Sequence, residues 1–203
     1  MGVLPHRVEE MFATLDQVQD DLTRRMVRAY KDRKSPLHTP VVVTGDIAAR
    51  VMVLREFDSA AWTLRFHTDS RAPKVGVIDS DPRMSVLFYD KGAKIQIRAN
   101  GTGEVLRDDL VAGRAWDRST NFARRCYLGE GPGSASDEPS SGLPSEFEGV
   151  EPTDEQLIPA RENFAVLRIS LTSLDWLYLA HTGHVRAQFE RSDTGWEGRW
   201  VTP

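Results

Sequence analysis

Apolar residues recur at three- and four-residue intervals from Val8 through Met11, Phe12, Leu15, Val18, Leu22 and Met26 to Tyr30, which predicts an amphipathic helix from Val8 to about Asp32. From there the period changes to two. Thr39–Thr44 and Arg50–Phe57 are rich in β-branched and aromatic residues, and Trp62, Leu64 and Phe66 alternate with Thr63, Arg65 and His67. Asp58-Ser-Ala-Ala61 separates the last two runs, so they read as an antiparallel hairpin. Pro73 reads as a helix start and Val75 to Ser80 as a single short helix, followed by strands Arg83–Tyr89 and Lys94–Leu106 about a Lys91-Gly92 turn. Asp108 reads as the N-cap of a helix running through Trp116 towards Arg125, and Thr153 as the cap of another that Pro159 ends. Phe164–Leu171, Leu174–Leu179, Val185–Glu190 and Gly198–Thr202 are the closing strands. The whole pattern predicts a mainly β (α+β) fold, a closed antiparallel barrel with flanking helices.

Residues 129–152 break the pattern. Gly-Glu-Gly-Pro-Gly-Ser-Ala-Ser and Asp-Glu-Pro-Ser-Ser-Gly carry almost no large apolar side chains, so the segment reads as a flexible loop, either a lid or a disordered insertion. It lacks the Lys-Ser/Thr of a phosphate-binding P-loop.

At 203 residues the chain suits a single domain, residues 1–203, with residues 1–36 as an N-terminal helical segment. A net charge of −4 gives no general attraction to nucleic acid or anionic membrane, and no apolar run reaches the length of a signal peptide core or a membrane span. Cys126 is the sole cysteine, which excludes an intramolecular disulfide and any cysteine-based zinc site and points to a reducing, cytoplasmic setting. His181 and His184 have no Cys or Glu at ligand spacing, so no metal site is expected.

Chemistry concentrates in the first hairpin. Arg50 and Arg55 bound one strand, and Arg71 and Lys74 follow the other. Fixed cations beside the Thr68 hydroxyl and a helix start at Pro73 supply the charged donors, neutral donor and helix dipole that a phosphate monoester needs. Gln96 lies on the polar side of its strand, as His67 does, where its amide could reach a ring edge.

The ordered set Arg50-Val-Met-Val-Leu-Arg55, His67-Thr68, Lys74, Asp81-Pro82 and Gln96-Ile-Arg resembles the pyridoxamine 5'-phosphate oxidase family of FMN-binding split barrels, as do Trp176, His184 and Arg186 near the end. The resemblance covers roughly residues 39–203 and implies a six-stranded antiparallel split β-barrel, a homodimer, and FMN-dependent oxidation or reduction of a small molecule with hydride moving to or from flavin N5. Carried over residue by residue, it implies phosphate contacts from Arg50, Thr68, Arg71 and Lys74. The backbone of Val51, Met52, Val53 and Leu54 would run along the isoalloxazine ring, with His67 and Gln96 beside it. Trp176 and Arg186 would arrive from the partner subunit, and His184 and Arg55 would face the substrate. A non-catalytic flavin carrier or redox sensor is the alternative, as is the same barrel with a deazaflavin or haem. The substrate side departs from the family: Ala72-Pro73-Lys74 replaces Ser-Arg-Lys, Arg55 stands where a Lys is usual, and Thr182 stands where an Arg precedes the histidine. Pyridoxamine phosphate is therefore not the expected substrate.

Overall fold

The computed structural model describes residues 12–181 and 183–203. Helix α1 (Leu15–Lys31) starts later than the apolar spacing predicts, because Thr14 caps it: its hydroxyl accepts the Gln17 N–H while the Gln17 side chain accepts the Thr14 N–H. Val8 and Met11 lie outside the described residues. Phe12 precedes the cap yet is buried, its ring edge-on to Trp176 at 4.6 Å. Val18, Leu22, Met26 and Ala29 form the buried stripe of α1, each larger side chain contributing roughly 1.5–3 kcal/mol by leaving water.

The strands are β1 (Val41–Val43), β2 (Ala49–Val51), β3 (Leu54–Asp58), β4 (Thr63–Asp69), β5 (Arg83–Asp90), β6 (Ile95–Leu106), β7 (Phe164–Tyr178), β8 (Val185–Ser192) and β9 (Gly195–Val201). They form one nine-stranded antiparallel sheet, in place of six barrel strands, with the path β2-β1-β5-β6-β7-β4-β3 and with β8 and β9 beyond β7. The sheet is split along the 15-residue β7, which pairs with β6 on one side over residues 166–178. On its other side Phe164–Ser170 takes β4 and Ser173–Tyr178 takes β8. One continuous strand thus replaces the two closing strands expected there.

The expected strand Arg50–Phe57 is interrupted at Met52 and Val53, where the chain crosses from β2 at one end of the path to β3 at the other. The crossing is pinned by Met52 N–H donating to the Pro40 carbonyl at 3.1 Å and Leu54 N–H donating to that of His38 at 2.9 Å. This joins the two ends of the sheet round a core of Phe66, Phe88, Trp176, Phe189 and the α1 stripe. Where β6 shifts register at Asn100/Gly101, a Cβ on Gly101 would lie 2.0 Å from the Ser170 carbonyl oxygen, so only glycine fits.

Helix α2 (Pro73–Ser80) packs beside β6, and α3 (Leu110–Asp117) is capped by Asp109, one residue beyond Asp108, and gives way to α4 (Asn121–Arg124) capped by Thr120. Together with the turns around Leu157 and Ala160, α3 covers the outer side of β7, which is why Phe164 and Val166 are buried along with Leu167. Thr153 and Gln156 make reciprocal capping bonds, but no α-helix follows. Pro159 has no N–H to donate, and the chain instead makes a 3-10 run, Ile158–Asn163, with the proline in its first turn. Among the described residues no helix is long and apolar enough to cross a membrane.

Candidate functional site

Two cations meet where the β1–β2 turn approaches the start of α2. In that turn Thr44 holds Asp46, and Ile47 is forced to a φ of 62° with its side chain exposed, a strained conformation for a β-branched residue. Arg50 Nη1 donates to Thr44 Oγ1 at 3.0 Å, a neutral acceptor. Lys74 stands in the first turn of α2, whose N-cap Ala72 has no side chain to satisfy the helix amides. Burial pushes the Lys74 ammonium below its ordinary value and the charge of Arg50 pushes it further, against a smaller opposing pull from Asp69. Among the described residues neither Arg50 nor Lys74 has a carboxylate partner. Thr68 is buried at the end of β4, directly before Asp69. Arg50 and Lys74 are thus near enough for one charge to act on the other, while the Thr68 hydroxyl donates to the Asp69 carbonyl at 3.4 Å.

Arg71 is used differently. Its guanidinium grips Asp69 (Nε to Oδ1 3.0 Å, Nη2 to Oδ2 2.8 Å), and that bond keeps it above its ordinary pKa. The same Nη2 donates to the Gly129 carbonyl at 3.0 Å. Arg71 therefore ties the irregular segment 129–152 to Asp69. That segment is held further by Arg125, which donates to the Phe147 and Val150 carbonyls, and by Glu130 N–H bonding the Gly142 carbonyl.

Across the crossing, Val51 is 65% exposed, Met52 and Val53 are half-buried, and the Leu54 side chain points into the core, so only its backbone faces outward. His67 projects from β4 against the edge of Phe164, ring centroids 5.0 Å apart. Burial, with the charges of Arg55 and Arg65, lowers its pKa to about 3, so it is a neutral imidazole at neutral pH. Cys126 lies in a 3-10 turn, exposed as a residue, with its thiol tucked against the Ala123 carbonyl. Partial burial pushes that thiol up, and fuller burial does the same to the Tyr127 hydroxyl.

Gln96, Trp176, His184 and Arg186 form a second group elsewhere. His67 pairs with Val166 on β7, whereas Gln96 and Arg186 both pair with Leu177. The two positions are 177 − 166 residues apart on one strand, roughly 36 Å at about 3.3 Å per residue, so Gln96 and His67 share an outward orientation but not a place. Arg186 is bound to Asp175, a buried carboxylate that also receives Arg98 and Gln188. Burial alone would raise Asp175, but these three donors outweigh it and hold its pKa at about 2. Trp176 does not reach outward: it is fully buried between Phe12 and Tyr178, facing the interior as its alternation with Asp175 and Leu177 demands. His184 is exposed just before β8, and Thr182 lies outside the described residues. Sequence reasoning did not find Thr44, Asp69 or Asp175. Only Asp175 left a signal, an acid on the polar side of a strand with arginines on the strands to either side.

The family model described as pyridoxamine 5'-phosphate oxidase, FMN-binding domain, matches residues 11–107, the stretch from α1 through β6 that contains the crossing and the Arg50–Lys74 pair. A pyridoxine/pyridoxamine 5'-phosphate oxidase of Caulobacter vibrioides is 23% identical over 163 residues, 76% of this chain and 69% of that protein. Among solved structures, a pyridoxamine 5'-phosphate oxidase-related, FMN-binding protein of Nostoc punctiforme superposes with a TM-score of 0.72 at 20% identity, covering all of both chains. PhzG of Burkholderia lata gives 0.68 at 16% identity, covering 100% of this chain and 99% of that one.

Proposed function

We propose that this chain belongs to the pyridoxamine 5'-phosphate oxidase family, whose FMN-binding domain model matches residues 11–107, and that it is a homodimeric FMN-dependent oxidoreductase acting on a small molecule. The carrying observation is the Arg50–Lys74 pair: two cations held near enough that one depresses the other, beside an uncapped helix start, with no carboxylate bonded to either among the described residues. Such a site is costly until an anion enters it, and a phosphate monoester supplies the charge and the acceptor oxygens together.

Bound FMN would supply hydride transfer through its N5. The chain's own residues would do the rest. Arg50, Lys74 and the Thr68 hydroxyl hold the phosphate, and the backbone of residues 51–54 lies along the ring. Neutral His67 gives a hydrogen bond without adding charge. Gln96 and Arg186 stand too far along β7 to meet the same ring from within one subunit, which supports a site shared between two copies. The outer side of the sheet offers apolar surface for such pairing in Val51, Val41 and Leu87, which lie in one cross-strand row. We read residues 1–203 as one unit built round this site, working in the cytoplasm.

An absorption spectrum of the purified protein, with mass analysis of the released chromophore and light scattering, tests this reading. A yellow dimer with one FMN per chain is expected. A colourless protein that takes up no added FMN overturns the cofactor, and a flavin-loaded monomer overturns the shared site.

A further inference from the structure

The hydroxyl of Thr44 stands between an acid and the arginine that the flavin reading gives to the phosphate. Thr44 is only 2% exposed, and its single proton has its best acceptor in Asp46, Oγ1 to Oδ1 2.5 Å, against 3.3 Å to the Ala48 carbonyl. With the proton turned to Asp46, a lone pair of Oγ1 is left for Arg50 Nη1 at 3.0 Å. Asp46 is fixed in its turn: the Thr44 hydroxyl, and after it the Ala48 N–H at 3.2 Å from the same Oδ1, hold its carboxyl below the ordinary range.

The turn is built to keep this geometry. Thr44 N–H donates to the Ala48 carbonyl at 3.2 Å and Ile47 N–H to the Thr44 carbonyl at 2.8 Å, which puts Ile47 in the left-handed position that glycine or asparagine usually fills in such hairpins. A residue so strained persists only where its surroundings over-determine it, and here the bonds from Thr44 and Ala48 to Asp46 do so. An arginine beside a carboxylate ordinarily closes on it with two N–H groups, as Arg71 does on Asp69 and Arg83 on Asp81. Arg50 does not. The Thr44 oxygen lies between and takes Nη1, while Nε and Nη2 make no hydrogen bond among the described residues. The guanidinium is thereby aimed without being neutralised.

Resting on the flavin reading above, we propose that Thr44 is a positioning residue for the cofactor phosphate and sets the preference of this site for FMN over riboflavin. Its hydroxyl orients Arg50 and keeps Asp46 from capturing it. Without that hydroxyl the carboxylate and the guanidinium face each other across the space it filled and are free to close into a direct pair, and the arginine then meets a phosphate with its charge already answered.

Fluorescence titration of the full chain, freed of flavin, with FMN and with riboflavin tests the assignment. Thr44→Val keeps the shape and should lower the ratio of FMN to riboflavin affinity about 10-fold, with riboflavin affinity itself unchanged. Thr44→Ser keeps the hydroxyl and should keep most of the ratio. Asp46→Asn added to Thr44→Val should restore part of it, because the amide has no charge with which to hold the arginine; a merely structural fault in the turn would be worsened by the second change. Circular dichroism checks that each variant folds, and Thr44→Ala carries the same expectation if the valine variant does not. A ratio that Thr44→Val leaves whole or raises overturns the assignment, as does an equal loss for both flavins, a serine variant as poor as the valine one, or a double variant no better than it. The parent keeps the two readings apart: no preference for FMN in the parent overturns the cofactor reading and this assignment with it, whereas a parental preference indifferent to Thr44 overturns the assignment alone.

Discussion

Arg186 and Asp175 are locked across the β7–β8 pair, the guanidinium donating Nε to Oδ1 at 3.0 Å and Nη2 to Oδ2 at 2.6 Å. Arg98 reaches the same Oδ2 from β6 at 2.6 Å, so one carboxylate separates two guanidinium groups. Asp175→Asn keeps the shape and removes the charge, leaving the two cations facing each other. The expected cost is about 1–3 kcal/mol in chemical denaturation, with weaker FMN binding because Arg186 loses its anchor. The folded carboxyl sits below its unfolded value. Its contribution is therefore complete above the ordinary carboxyl value of 3.8 and is lost as pH falls through about 2. A variant as stable as the parent would show that the network is ornamental.

Arg50→Ala and Lys74→Ala should each weaken FMN far more than riboflavin. A charged hydrogen bond to phosphate is worth roughly 1.5–3 kcal/mol, or about 10- to 150-fold in affinity, and riboflavin has no group to receive it. Arg65 is a poor control because its Nε is buried and it is tied to Glu56; Arg28, 70% exposed on α1 and paired among the described residues only with the partly exposed Asp32, is the better one. Fluorescence titration with both ligands reads the difference. Equal losses for the two would mean that neither cation touches the phosphate.

Much of this site was legible because it depends on short-range order in the chain. Arg50, Thr68 and Lys74 lie at strand ends and a helix start, places that alternation and a Pro at N1 mark without any knowledge of the fold. The Arg71–Asp69 pair was not legible because charge and position along the chain do not say which acid a guanidinium turns to. Trp176 was misread because resemblance placed it by spacing, while the period of β7 puts Asp175 and Leu177 on the outward side. The split of β7 between β4 and β8 is a long-range choice of partners, and no local pattern encodes it.

Trp176→Phe separates core from cofactor. The indole is fully buried, and its Nε1 has no hydrogen-bond partner among the described residues, so phenylalanine loses volume but also removes an unsatisfied donor. A net change under about 1.5 kcal/mol is expected, against roughly 3–5 kcal/mol for Trp176→Ala, where a cavity opens beside Phe12. FMN affinity should not change in the phenylalanine variant. A loss of more than about 10-fold there would restore the flavin contact that burial argues against.

His67 gives a pH signature with a definite sign. Its folded pKa is about 3 against an unfolded value near 6.5, because burial and the charges of Arg55 and Arg65 disfavour the imidazolium. Above about pH 6.5 both states are neutral and the group contributes no slope. As pH falls from there the unfolded chain takes up a proton that the folded chain refuses, so stability drops by up to about 1.4 kcal/mol per pH unit and levels off only near the folded pKa. The total is of the order of a few kcal/mol. His67→Gln should flatten the stability profile between pH 4 and 6 relative to the parent, measured by denaturant midpoints in matched buffers. Parallel profiles for parent and variant would mean that the imidazole accepts its proton in the folded protein as readily as in the unfolded chain.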